Sequence, residues 1–306
     1  MTAQMESGAR PPGDAVETAP WVHLSRHGTE IGGEVPSGTP RGPVAAFTAA
    51  VKLAWEVRET LWVLVVRDFK SRYRAQSLGL FWSFAHPLVM MVSVTIAFRY
   101  ILHVGIENFQ VFYLVGAVFW QFFSNSVIAT TGSMLDNAGL VKRTTFPRFL
   151  FPIATMLSHL ILLSMELVLV FGFFFVFPEA YTFTSSLLAI PLLLLILMLM
   201  IVGVGFTTCG LNVRYRDIHY LTTSFITVFF WITPVLFRVD MVPPWLQPAM
   251  LVNPVGIVIE SVRNIIMFGR WPNMTHVSLA GLSAVLVFFF GCAVFRRENL
   301  RIADYV

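Results

Sequence analysis

Residues 190–206, IPLLLLILMLMIVGVGF, carry no polar side chain. A helix that is apolar on every side has no face to offer water, so it is buried in a large core or crosses a bilayer. Crossing takes about 20 mainly apolar residues. Six stretches meet that requirement, at 83–104, 109–132, 149–177, 183–211, 218–237 and 274–295. The fifth is polar at its start and carries Pro234 near its end. Composition agrees: the 306 residues are 56% hydrophobic and only 12% charged, where soluble domains carry about 25% charged residues. The expected fold class is all-α integral membrane, with six transmembrane helices.

The placement of Lys and Arg orients these spans. Residues 46–82 hold Lys52, Arg58, Arg67, Lys70, Arg72 and Arg74; the loop after span two holds Lys142, Arg143 and Arg148. Arg214 and Arg216 follow span four, and Arg296, Arg297 and Arg301 follow span six. The alternate loops hold only Arg238, Arg263 and Arg270, all after span five. Fourteen against three is a strong positive-inside bias, which predicts a multi-pass membrane protein with both termini cytoplasmic. Residues 1–45 are rich in Gly and Pro and poor in aliphatics, so a disordered cytosolic tail is expected. They show no charged n-region followed by an apolar h-region, hence no cleavable signal. The remaining division is an interface helix at 46–82, the spans at 83–295 and a cytosolic tail at 296–306.

The stretch RDFKSRYRAQSLGLFW (67–82) crowds four cations against the first span. At 100° per residue, Val51, Trp55, Trp62, Val66, Phe69 and Tyr73 share one sector and the cations lie beside it. This pattern predicts an amphipathic helix in the membrane plane, with an ordinary packing helix as the alternative. Arg67, Lys70, Arg72, Tyr73 and Arg74 are then candidates for holding an anionic lipid head, at about 1 kcal/mol per cation near an anionic leaflet. Before the last span, residues 243–272 contain an apolar helix pattern of only about thirteen residues. That is too short to cross and too apolar for water, which fits a re-entrant hairpin. Glu260 and Arg263, three apart, are spaced to pair on one face, either as a surface staple or in a substrate role.

Ionisable groups inside spans are functional candidates by default. Arg99, His103, His159 and Glu166 are such groups, and Arg99 and Glu166 lie at similar depth. Gln121, Ser124 and Asn125 form a polar patch in span two, suited to a translocation path or to bonding a neighbouring helix. Cys209 and Cys292 sit in apolar runs without metal-ligand spacing and read as small core residues, so no metal site is expected. No two histidines repeat as a haem pair would. There is no G-x-x-x-x-G-K-[ST] loop, so a nucleotide motor must come from elsewhere. No D-x-D, H-E-x-x-H or G-x-S-x-G lies at a membrane face, and no soluble basic module suggests nucleic acid.

Five patterns in order carry a resemblance: VRDFKSRYRAQSLGLFWSFAHPLVMM (66–91), NAGLVKRTTFPRFLFPI (137–153), LNVRYRDIHYL (211–221), NPVGIVIESVR (253–263) and FRRENLRIADYV (295–306). Over roughly residues 50–306 the chain resembles the membrane subunit of bacterial polysaccharide-exporting ABC transporters, which include O-antigen, teichoic acid and capsule exporters. The resemblance implies a non-enzymatic permease that works as a homodimer with two copies of a separate ATPase subunit. ATP and Mg would belong to that subunit. The cargo would be a glycan on an undecaprenyl- or similar polyprenyl-pyrophosphate anchor, moved among membrane lipids. Asn137, Leu140, Lys142, Arg143, Phe146 and Pro147 match the family's coupling helix. Arg214, Tyr215, Arg216 and Asp217 match its second ATPase contact, and 243–272 matches its re-entrant helices. The competing readings are an exporter of drugs or small lipids and a membrane-embedded enzyme acting on lipid-linked sugars.

Overall fold

The computed structural model describes residues 57–73, 81–143 and 147–299, and every regular element among them is helical. The tail at 1–45, Arg74 and Phe146 lie outside the described residues. Helix α1 is Arg58–Tyr73. Helix α2, Phe81–Thr95, contains Pro87 and continues as a π-helical turn, Ile96–Ile101. Helix α3 is Phe109–Asp136, the short α4 is Ala138–Arg143, and α5 is Leu150–Gly172. Helix α6 is Ile190–Arg214 and α7 is Ile218–Ile232. Helices α8, Gln247–Val252, and α9, Pro254–Phe268, precede α10, Met274–Asn299.

Among the described residues, five helices are long and apolar enough to cross a membrane: α2 with its π turn, α3, α5 and α6 with their adjoining 3₁₀ turns, and α10. The sixth expected span is shorter than its apolar run. α7 has 15 residues and rises about 22 Å, less than the roughly 30 Å hydrocarbon core. The reason is Pro234, which offers no N–H and drives the residue before it out of helical geometry; Thr233 has ψ 134°. The last span, by contrast, runs on through the expected start of the tail to Asn299.

Helix α3 is the centre of the molecule, buried over most of its length, with α5, α6, α7 and α9 packed around it. Helices α6 and α10 approach so closely that only glycine fits. A Cβ on Gly203 would lie 2.6 Å from the Val287 carbonyl, and one on Gly291 would strike the Gly203 carbonyl oxygen. Small residues at such crossings let backbones meet where the hydrophobic effect supplies no driving force between helices.

Helix α1 has a second apolar stripe beside the one its helical projection shows. Leu64 and Val65 are its buried residues and pack with Leu61 and Val57 against Leu150, Phe151 and Ala154 of α5. Trp62, on the projected apolar face, is 62% exposed. Packing on α5 is far stronger than a surface contact would be, so the aliphatic stripe is turned inward and the Trp ring outward. The helix is therefore both a packing helix and one that presents an aromatic to its surroundings.

The α6–α10 crossing yields a test. Gly291→Val meets backbone that cannot yield, so overpacking at the usual cost of about 2 kcal/mol is expected, lowering the unfolding midpoint in detergent by roughly 4–8 °C. Gly172→Ala, where a Cβ has nothing within 4 Å, is expected to leave the midpoint in place. Equal effects of the two substitutions would refute the close-packing account.

Candidate functional site

Two of the clustered cations turn inward. Arg67 Nη2 donates to Asp68 Oδ1 at 2.7 Å and to Asn137 Oδ1 at 2.5 Å. Thr155 Oγ1 donates to Asp68 Oδ2 at 3.0 Å, and Asn137 donates back to the Ser133 carbonyl at 2.7 Å, closing the end of α3. Farther along α1, Arg72 Nη1 lies 2.7 Å from His159 Nε2, while His159 Nδ1 lies 2.9 Å from the Thr155 carbonyl. A guanidinium only donates and a carbonyl only accepts, so a neutral imidazole with its proton on Nδ1 satisfies both. Burial holds Arg72 below the ordinary arginine value, against the opposing pull of Asp68 and Tyr73. These bonds tie α1 to the end of α3 and to α5, the two sides of the connection at 137–149.

The second connection on this face is anchored in the same way. Asn212, buried near the end of α6, donates to the Thr131 carbonyl at 3.1 Å and accepts the His219 N–H at 3.1 Å. Arg214, Tyr215, Arg216 and Asp217 between them are exposed, and the Arg214 guanidinium stacks on the Tyr215 ring at 4.9 Å. Both connections thus hang from one helix, α3, by hydrogen bonds to its last two turns.

At the opposite end of α3 the broken α7 is repaired by Arg263. Pro234 and Val235 lie beyond the helix, so their carbonyls need donors from elsewhere. Arg263, 4% exposed, donates from Nη1 to the Pro234 carbonyl at 2.6 Å and from Nη2 to that of Val235. Its Nε donates to the Phe112 carbonyl of α3 at 3.0 Å, and its Cζ sits 3.7 Å from the centre of the Phe112 ring. Gly116 makes the room, because a Cβ there would collide with the guanidinium. Asn253 caps α9 by accepting from the Val255 and Gly256 N–H groups, and donates to Thr233 Oγ1 at 3.0 Å. A cleft of about 410 Å³ opens beside this junction, between residues 234–240 and α9.

The architecture has known counterparts. The family model described as ABC-2 type transporter matches residues 59–267, from the start of α1 almost to the end of α9. The chain belongs to the ABC-2 type transporter family. It is also similar to an O-antigen export system permease protein RfbA of Klebsiella pneumoniae, 28% identical over 247 residues, covering 80% of this chain and 94% of that one. A protein of the same name from Myxococcus xanthus is 27% identical over 260 residues, covering 84% and 98%.

Within this ABC-2 membrane domain the sequence-derived residues fall in several places. Asn137 is in the α1–α3–α5 junction; Leu140, Lys142 and Arg143 are on α4, the latter two with side chains outside the described residues; Pro147 precedes α5. Tyr73 shares a 2.6 Å hydrogen bond with Ser83, and Lys70 is exposed on α1. Gln121 and the exposed Asn125 lie on α3 near an aromatic group in which Trp120 stands 5.8 Å from Phe229 and 5.5 Å from Phe230 of α7. Arg99 and Glu166 are not brought together: Arg99 donates to Gln110 at 3.3 Å, and no bond joins it to the half-buried Glu166.

The Glu260–Arg263 surface staple is also corrected. Arg263 is buried and directs Nε, Nη1 and Nη2 to carbonyls, because the two backbone acceptors left open beyond the broken helix outweigh one partly solvated carboxylate. Asp68, Thr155, Asn212 and Gly116 were missed altogether. Only Arg263 left a signal, an arginine in an apolar run beside a helix broken by proline.

Two tests follow. Arg263→Met leaves the Pro234 and Val235 carbonyls short of donors, each worth about 1–3 kcal/mol, so a large loss of thermal stability is expected. Gly116→Ala should mimic it, and the double variant should lose less than the sum, since Ala fills the vacated space; strict additivity would refute the shared seat. On α1, Arg72→Ala should lower the unfolding midpoint, whereas Lys70→Ala should leave it unchanged. Equal midpoints for these two variants would contradict the inward brace.

Proposed function

We propose that this chain is the permease half of an ABC exporter for a lipid-linked polysaccharide, moving it from the cytoplasm across the plasma membrane. The observation that carries the reading is the match to O-antigen export permeases over 80% or more of both chains within an established ABC-2 membrane domain. A homodimer with two copies of an ATPase subunit is the working assembly, and ATP and Mg act in that partner. The exposed apolar faces of α2 (Val89, Val92, Ile96) and α7 (Leu221, Phe225, Val228, Ile232) support burial against a second copy or lipid.

In this reading the face bearing α4 and residues 214–217 is cytoplasmic and meets the ATPase. Closure of the motor pushes on two short connections, and both transmit that push into the last turns of α3 through Asn137 and Asn212. A rigid central helix then converts loop displacement into separation of the spans, as a rigid-body switch does. Among the described cations of the cluster on α1, Lys70 is the one left to meet an anionic lipid head, because Arg67 and Arg72 are held in the brace. The Trp120–Phe229–Phe230 rings suit a passing glycan, whose C–H faces pack on aromatic faces while its hydroxyls stay wet.

Deleting the gene should abolish surface polysaccharide and leave lipid-linked polymer accumulating in the cytoplasm. The purified chain alone should turn over no ATP, and Asn212→Leu should uncouple the ATPase of the assembled complex from export. Loss of polymer synthesis in extracts, instead of intracellular accumulation, would replace this reading with an enzyme on lipid-linked sugars.

A further inference from the structure

The cleft beside Arg263 has a wall with a regular pattern. Along α9 nearly every residue from Val255 to Met267 is buried; those left open after the first turn are Glu260, Asn264 and Phe268. They are four residues apart and therefore stand in line on one face, and all three line the cleft. They present a carboxylate, a carboxamide and a 49% exposed aromatic ring in succession. Neither the Glu260 nor the Asn264 side chain makes a hydrogen bond to the protein among the described residues. The opposite wall offers Arg238 and Asp240, paired at 2.6 Å, and Arg270 sits at the rim with its Cζ 5.7 Å from the Phe268 ring.

The lining selects among ligands. An acyl chain would desolvate several charges without replacing their hydrogen bonds. A phosphate or pyrophosphate would face the carboxylates of Glu260 and Asp240, while Arg238 is already paired, Arg263 is turned to backbone carbonyls through Nε, Nη1 and Nη2, and Arg270 lies over the Phe268 ring. A neutral polyhydroxyl ligand has no such conflict. Its hydroxyls donate to Glu260, exchange both kinds of hydrogen bond with Asn264, and leave a C–H face for Phe268. The volume of about 410 Å³ falls within the usual range of ligand pockets, about 300–1,000 Å³.

We propose that this cleft is a subsite for an uncharged sugar unit of the transported glycan, with Glu260 and Asn264 reading its hydroxyls and Phe268 stacking on its ring. The proposal rests on the exporter reading and adds a place on the chain where the glycan is held. Arg263 is a positioning residue for it, since its bonds to the Pro234, Val235 and Phe112 carbonyls fix α9 against the other wall.

The test uses the full chain in lipid nanodiscs and a fluorescent oligosaccharide released from the host's own surface polysaccharide. Saturable binding is expected for the native chain. Asn264→Ala should weaken it roughly fivefold, the effect of one lost hydrogen bond, and Phe268→Leu by a similar factor. Both positions lie on the open face, so unfolding midpoints should not move. Binding that is absent, unaffected by both substitutions, or displaced by inorganic pyrophosphate at concentrations where methyl glycosides fail would overturn the subsite. Those outcomes leave the exporter reading standing if deletion of the gene still removes surface polysaccharide; retention of surface polysaccharide in the deletion strain sinks that reading itself.

Discussion

The guanidinium of Arg263 supplies, from one side chain, the donors that a broken helix lacks. Pro234 stops α7 about two turns short of what a bilayer crossing needs, and the carbonyls beyond the break lie in an apolar interior where an unpaired acceptor costs several kcal/mol. Arg263 answers two of them and a third on α3. Because its donors are rigidly forked, the same contact sets the position of α9, of residues 234–240 and of the first turn of α3. A lysine, with a compact ammonium on a flexible stem, could not fix three directions at once. Gly116 and the Phe112 ring complete the seat, and the cleft beside it exists because those walls are held apart.

The other end of α3 follows the same physics with weaker parts. There the bonds are amide and carboxylate contacts at the membrane edge: Asn137 with Arg67, Asp68 with Thr155, and Asn212 with Thr131. They tether two exposed connections to a helix buried along most of its length. A buried helix with one end locked and the other carrying two exposed connections suits a part that transmits motion. The close crossing of α6 and α10 through Gly203 and Gly291 gives that helix a stiff support.

Much of this was legible in the chain. Apolar runs and the positions of Pro234 and Asn253–Pro254 mark the spans, the break and the start of α9, because hydrogen-bond closure in lipid leaves little choice. The segments 137–147 and 214–217 stand out as ordered patterns, and the structure places their described parts at the same end of α3. The junction residues were not. Asp68, Thr155 and Asn212 are ordinary polar residues in sequence, and nothing local says that helices 81 or 87 positions away will offer them partners. The packed stripe of α1, Leu61, Leu64 and Val65 on α5, was hidden for a related reason, since a projection shows which residues share a face but not which face finds a neighbour.

The sequence by itself determined the solvent of this protein and its division into helices, because transfer of side chains and backbone into hydrocarbon depends on local composition and length. The tertiary structure alone decided which cations are free and which are structural, and where a ligand could lodge. Arg67, Lys70 and Arg72 are equivalent charges on paper, yet two are bound to α3 or α5 and one faces outward. Glu260 and Arg263 are spaced to pair, yet one lines a cleft and the other holds it open. Those outcomes depend on competition among partners distant in sequence, and packing is what brings the partners together.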